Sequence, residues 1–367
     1  MSAERALPNP LRFAPREASP TAPPGDALHE EASFGFALPE AVGGNEDWPR
    51  IVADAVEDLD TLAALLELDV EALRARCSPD PFPLRVPRPF VERMRQGDPD
   101  DPLLLQVLVR REEGRAIEGY VADPLAEHGA SPCPGLIRKY AGRVLLTATA
   151  VCPVHCRYCF RRHFPYDTHR LTPEARESAL AHIAADESIR EVILSGGEPL
   201  MLKDAPLARL LDALEAIPHV ELLRIHSRFP VVVPQRVTKA LVRRLSASRC
   251  RVTLVLHANH AAEIDGAVSA ALAPLAWSPV TLLNQSVLLA GINDSVDVLE
   301  ALSRRLHEVG VLPYYLHASD PVDGTAHFAV RDDSARAIVA ALTDRLPGYL
   351  VPTLVREVAG RAAKTRL

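Results

Sequence analysis

After Arg143 the chain alternates short apolar, β-branched runs with longer segments of helical spacing. The runs VLLTATA, EVILS, LLRIH, RVTLVL, VTLLN and LPYYLH begin at Val144, Glu191, Leu222, Arg251, Val280 and Leu312 and predict six strands. TPEARESALAHIAA, PLARLLDALEAI, TKALVRRLSA, SVDVLEALSRRLHEVG and DDSARAIVAALTDRL carry the helical period. Strands separated by helices of that length imply parallel pairing through crossovers. The expected fold class is therefore α/β, an incomplete (β/α)6 barrel over residues 136–330. No internal repeat of solenoid period is present.

Upstream, the spacing of Ile51, Val52, Val56, Leu59, Leu62, Leu65 and Leu66 fits helical faces between Trp48 and Leu68, and RVPRPFVERM begins a further helix after its prolines. Residues 46–135 are thus expected as an N-terminal helical cap. Residues 1–45, with PNPLRFAPREASPTAPPGD, lack the apolar surface to offset ordering entropy and are expected to be a disordered extension. Residues 331–367 are expected as a C-terminal helix and a short final segment.

Composition narrows the function classes. The 367 residues include 48 acidic and 41 basic side chains, net charge −7, with no basic run, so nucleic acid is not an expected partner and a small molecule is. No apolar stretch long enough to span a membrane and no secretory leader pattern is present, so a cytoplasmic location is expected. Unusual residues collect where strands end: Cys152–Cys159, Gly196–Pro199, His226–Arg228, His257–His260, Asn284–Ser286 and His317. Barrel enzymes carry their chemistry on that face.

The segment VCPVHCRYCFRRHFPY places Cys152, Cys156 and Cys159 in a Cys-x3-Cys-x2-Cys spacing, so one loop can present three thiolates to one face of an iron–sulfur cube. A four-iron cluster held by three side chains keeps one iron for a small molecule. The alternative is a structural zinc site completed by His155 or His163. Cys77, Cys133 and Cys250 stand alone and read as small buried thiols. In Gly196-Gly197-Glu198-Pro199 two glycines permit close backbone approach, and the carboxylate can receive an ammonium group.

The cysteine spacing resembles the signature of the radical S-adenosylmethionine enzymes. That resemblance implies a [4Fe-4S] cluster on the three cysteines and S-adenosylmethionine on its free iron. It also implies Tyr158 near the adenine, and Gly196, Gly197 and Glu198 around the methionine amino group. CRYCFRRHFPY, RIHSRFPVVVPQRVT, LLNQSVLLAGIND and PYYLH, in this order, resemble the lysine 2,3-aminomutases from about Trp48 to the end. Within that family the chain looks most similar to the bacterial branch called elongation factor P post-translational modification enzyme B, which makes (R)-β-lysine. The clostridial catabolic members look more distant.

The family resemblance implies pyridoxal 5'-phosphate on Lys364, within YLVPTLVREVAGRAAKTRL. Lys139, Tyr140 and Arg143 of KYAGRVLL, with Arg228 of the HSR motif, are then expected around that cofactor. Arg161 is expected to take the substrate carboxylate, and Asp294 and Glu357 the ε-ammonium of L-lysine. The implied partners are a flavodoxin- or ferredoxin-like electron donor, further copies of the chain in a homo-oligomer, and a ligase that attaches the product to elongation factor P. The chain departs from the clostridial pattern at Glu357 (aspartate there) and Lys139 (arginine there); Ala290 replaces an arginine of many relatives, and three residues follow Lys364. Two other readings remain at this point: an aminomutase acting on glutamate or another amino acid, and a cluster protein without turnover.

Overall fold

A computed structural model describes residues 47–77, 82–165 and 171–367. The extension expected over residues 1–45 lies outside the described residues. The described part is built on one nine-stranded sheet whose strands lie in chain order: β1 (Leu136–Tyr140), β2 (Arg143–Thr149), β3 (Glu191–Gly196), β4 (Leu222–Ser227), β5 (Arg251–Leu256), β6 (Thr281–Leu288), β7 (Leu312–Ala318), β8 (Thr353–Arg356) and β9 (Thr365–Arg366). Strands β2 to β8 are parallel, and β1 and β9 pair antiparallel at the two edges. All six expected strands are present in the expected parallel order. The edge strands and β8 are additions that the sequence pattern did not announce.

Four helices precede the sheet: α1 (Trp48–Ala53), α2 (Leu59–Leu65), α3 (Val70–Arg76) and α4 (Arg88–Val91). The helical spacing from Trp48 to Leu68 is interrupted because Val56 exchanges backbone hydrogen bonds with Val86, and because the Asp58 carboxylate accepts from the Thr61 N–H and so starts α2 afresh. The helix expected after the prolines of RVPRPFVERM is a single turn, α4. Trp48 meets Phe229 edge to face with ring centroids 5.4 Å apart, and the apolar residues of these helices share one core with the strands.

The crossovers are α5 (Pro173–Ala185), α6 (Asp204–Glu215), α7 (Phe229–Val232) with α8 (Lys239–Ser246), α9 (Gly266–Ala276), α10 (Val296–Glu308) and α11 (Asp332–Arg345). Thr172, Thr238, Asp265 and Ser295 each accept a backbone N–H three residues on, which fixes where four of these helices begin. Segment α9 had no helical expectation, since GAVSAALAPLA has no polar stripe and carries Pro274.

Side-chain alternation turns this sheet into a site. In β4 and β6 every second residue is fully buried against the helices, while Arg224 and His226, and Gln285 and Val287, face the barrel interior. Tyr315 and His317 of β7 do the same.

Two arginines of the cysteine-bearing loop after β2 are tied to the segment before the sheet. Arg157, with 0% side-chain exposure, donates to both carboxylate oxygens of Glu113 at 3.0 and 3.1 Å through Nε, and Arg162 lies 2.9 Å from the same carboxylate. Removing one partner of a buried ion pair strands the other. Glu113→Gln should therefore lower the urea unfolding free energy by about 3 kcal/mol; a loss within experimental error would show that the loop does not need this clamp.

Candidate active site

The interior-facing residues surround a cavity of about 470 Å³ at the C-terminal ends of the strands. Cys152, Cys156 and Cys159 line one end; Lys139, Tyr140, Arg143, Glu357 and Lys364 line the other, and the same cavity runs between them. Tyr158, Arg161, Gly196, Gly197, Glu198 and Arg228 also face it. Of the expected site residues, Asp294 does not. It sits exposed in the loop between β6 and α10, where its carboxylate accepts from the Gly291 N–H.

The glycines act first on the protein itself. Gly196 has φ +101°, and a Cβ on Gly197 would stand 2.8 Å from both the N and O of Val151. That closeness lets Gly197 N–H donate to Thr149 O and Glu198 N–H to Val151 O, stitching the end of β3 to the residues just before Cys152. The Glu198 carboxylate accepts from the N–H groups of Leu200 at 3.0 Å and Arg228 at 2.9 Å. Burial pushes its pKa up to about 7.

The cysteine end is rich in buried charge. Arg228 donates to Cys156 Sγ at 2.7 Å, to Gln106 Oε1 at 2.7 Å and to Glu263 Oε2 at 3.0 Å. Its guanidinium lies 5.4 Å from the Tyr158 ring centre. The structure thus sets Arg228 beside a cysteine sulfur rather than among Lys139, Tyr140 and Arg143. Burial, then the Cys156 thiol, pushes Cys159 up to about 11, and burial pushes Cys152 well above the ordinary thiol range. Such thiols are not poised nucleophiles. Cys152, Cys156 and Cys159 all face the one cavity, and this donor set fits an iron cluster, whose cationic charge favours bound thiolates. His155 and His163, the candidate fourth ligands of a zinc site, turn instead to the carbonyls of Pro83 and Asp323.

At the lysine end, Lys364 Nζ lies 2.6 Å from Glu357 and 5.9 Å from the Tyr315 ring centre. Lys139 Nζ bridges Glu357 at 2.5 Å and Glu127 at 2.9 Å. Burial alone would raise both acids, but Lys364 and Lys139 hold Glu357 well below the carboxylate range, and Arg161 and Lys139 hold Glu127 at about 2. Arg161 meets Glu127 fork to fork, at 2.7 and 2.8 Å. Arg143 Nε, Arg224 Nε, His226 Nε2 and His317 Nε2 are buried atoms of this cavity wall without a protein partner. That surplus of donors suits a phosphate-bearing group, so the residues present fit pyridoxal phosphate. Glu127, His226, His257, His317, Gln285, Tyr315 and Asp320 line the cavity but had no assigned role in the sequence. The histidines and Gln285 were flagged there by their position after strands; nothing in the sequence around Glu127 marked it.

The radical SAM superfamily model matches residues 146–258, from β2 to the turn after β5, and this is the class that the thiol loop on a parallel partial barrel defines. The chain is 49% identical over 324 residues to the L-lysine 2,3-aminomutase of Escherichia coli (strain K12), spanning 88% of this chain and 94% of that one. It is 44% identical to the protein of the same name from Haemophilus influenzae, over 87% of this chain and 95% of that one, and 35% identical to the Clostridium subterminale protein, over 87% and 77%. The chain belongs to the lysine 2,3-aminomutase family, and it is more similar to these two bacterial proteins than to the clostridial one. Among the described residues no helix is long and apolar enough to cross a membrane.

Two outcomes follow from the site's geometry and burial. Gly197→Ala must displace the backbone before Cys152, and anaerobically reconstituted variant should retain much less iron than wild type; equal iron content would mean the glycine contact does not position the thiols. Burial, reinforced for His257 by Arg228 and Arg161 and for His317 by Lys364, lowers both histidines from 6.5 to about 3. Their folded pKa values lie below the unfolded ones, so their contribution is complete above pH 6.5 and is lost as pH falls toward 3. The unfolding free energy from urea titration should drop between pH 7 and pH 5, by on the order of 1 to 2 kcal/mol per histidine, and His317→Asn should flatten that slope.

Proposed function

We propose that this chain is an L-lysine 2,3-aminomutase that moves the α-amino group of L-lysine to the neighbouring carbon, giving (R)-β-lysine for the modification of elongation factor P. The observation that carries the reading is that three thiols and Lys364 line one cavity, with the Glu357 carboxylate beside Lys364. In this reading Cys152, Cys156 and Cys159 hold the iron–sulfur cluster, while Tyr158, Gly196, Gly197 and Glu198 lie against S-adenosylmethionine. Lys364 carries pyridoxal phosphate, with Lys139, Tyr140 and Arg143 around it. When bound, these groups supply a carbon-centred radical and a conjugated imine that stabilises a radical beside the migrating nitrogen.

The chain's own residues bind, orient and insulate. Arg161 offers its guanidinium to the substrate carboxylate, and Glu127 fixes the plane of that fork. Glu357 favours a cationic side chain and would repel that of glutamate, which supports lysine over an acidic substrate. His257 and His317, held neutral, add no positive charge to the interior. Leu145, Ile193 and Val287 in the wall keep water from the reacting carbon. The reading carries a cytoplasmic setting, a flavodoxin- or ferredoxin-like electron donor, a homo-oligomer and a ligase that consumes the product.

Anaerobic protein given pyridoxal phosphate, S-adenosylmethionine, reductant and L-lysine should form β-lysine of one hand, and L-glutamate in its place should give no β-amino acid. Lys364→Ala should lose the pyridoxal absorbance and the activity while keeping its iron, and Cys156→Ala should lose the iron. Wild-type protein that consumed S-adenosylmethionine without isomerising lysine would contradict the reading.

A further inference from the structure

Arg228 follows β4 at the cysteine end of the cavity and donates through Nη1 to Cys156 Sγ at 2.7 Å. Its other terminal nitrogen, Nη2, donates to Gln106 Oε1 at 2.7 Å and to Glu263 Oε2 at 3.0 Å. Those two acceptors are themselves fixed. Gln106 Oε1 also accepts from Asn259 Nδ2, and Gln106 Nε2 donates to Glu263 Oε1, which accepts the N–H groups of Asn259 and His260 as well. Asn259 Oδ1 in turn accepts from the Val287 N–H on β6. Arg228, Gln106, Asn259 and Glu263 are all buried, and the rings of Phe90 and Tyr158 stand 5.2 and 5.4 Å from the guanidinium centre. Groups from the segment before the sheet and from the ends of β4 and β5 thus converge on one guanidinium and fix its direction.

An arginine does not give up its proton in a protein, so the charge held there is permanent. With Glu263 behind it, Arg228 forms a buried dipole whose positive end meets the sulfur. Glu263 offsets part of the cation's effect but acts from the far side of the guanidinium, so the nearer charge dominates at Cys156. The proposed function, on which this inference rests, puts an iron–sulfur cluster on that sulfur. Its reduction by a flavodoxin- or ferredoxin-like donor adds one electron there, and no bond forms or breaks. A fixed cation and an N–H bond to a ligand sulfur both favour the reduced form, whereas a fixed anion opposes it. We infer that Arg228, aimed by Gln106, Asn259 and Glu263, sets how readily the cluster accepts its electron, with Glu263 as the opposing charge that limits the effect.

The test is a potentiometric titration of the anaerobically reconstituted holoenzyme, followed by the paramagnetic resonance of the reduced cluster, without S-adenosylmethionine or lysine. Only preparations with a full complement of cluster iron are compared. Arg228→Gln should shift the ratio of reduced to oxidised cluster at a given potential about tenfold toward the oxidised form, as expected for losing a charged hydrogen bond, a lowering of about 59 mV. Glu263→Gln should shift it the other way, by a smaller factor. The opposite signs separate charge from structure, because a network that merely held the loop would respond alike to both losses. Pyridoxal affinity, read from absorbance, should stay as in wild type in Arg228→Gln. If that variant does not retain its iron, Arg228→Lys, which keeps the charge but loses the fork, should give a smaller lowering. Shifts of one sign in both variants, no shift in either, or a loss of pyridoxal affinity with the potential unchanged would overturn the assignment. A wild type that holds no four-iron cluster would overturn the proposed function and this inference with it.

Discussion

The site depends on holding a loop of three cysteines still at the mouth of an open barrel. A loop rich in thiols and arginines gains little by packing, and ordering it costs entropy. Here the loop is clamped by buried charge pairs. Arg157 and Arg162 close on Glu113, and Arg161 on Glu127. Arg228, which reaches Cys156 Sγ, closes on Glu263. Each carboxylate comes from outside the loop, two of them from the segment that precedes the sheet. Buried ion pairs add little net stability compared with apolar packing, but they are intolerant of misplacement, which suits a loop that must present three sulfurs in register.

The same economy of charge links the two ends of the cavity. Arg161 and Lys139 share Glu127, and Lys139 and Lys364 share Glu357, so a chain of alternating charges runs from the thiol loop to the C-terminal strand β9. Strand β8 is what brings Lys364 there: Val355 and Arg356 pair with Arg366 and Thr365, and the tail folds back over the barrel interior. A C-terminal lysine with no local reason to be functional thus becomes part of the wall. Its neighbours on β7, Tyr315 and His317, come from an apolar run that alternates inward and outward.

Much of this was legible from sequence because its causes are local. The six strands announce themselves by apolar runs, and the thiol spacing lies within eight residues. What was missed has causes that are not local. Strands β1, β8 and β9 are only five, four and two residues long, too short to show a period, and form by pairing with a strand already in place. Glu127 sits in a polar stretch, and its burial is made possible only by Arg161 and Lys139 arriving from elsewhere. Asp294 and Asp320 are both loop aspartates; which one faces the cavity is decided by where β6 and β7 end. Arg228 looked like a phosphate ligand until the fold set it against Cys156.

The central claim is that Cys152, Cys156 and Cys159 hold a four-iron cluster and leave one iron to a small molecule. Mössbauer spectroscopy of protein reconstituted anaerobically with 57Fe tests it most directly. Adding S-adenosylmethionine should change the signal of one iron in four and leave the other three as they were. A spectrum in which all the irons are alike, before and after the addition, would contradict the account.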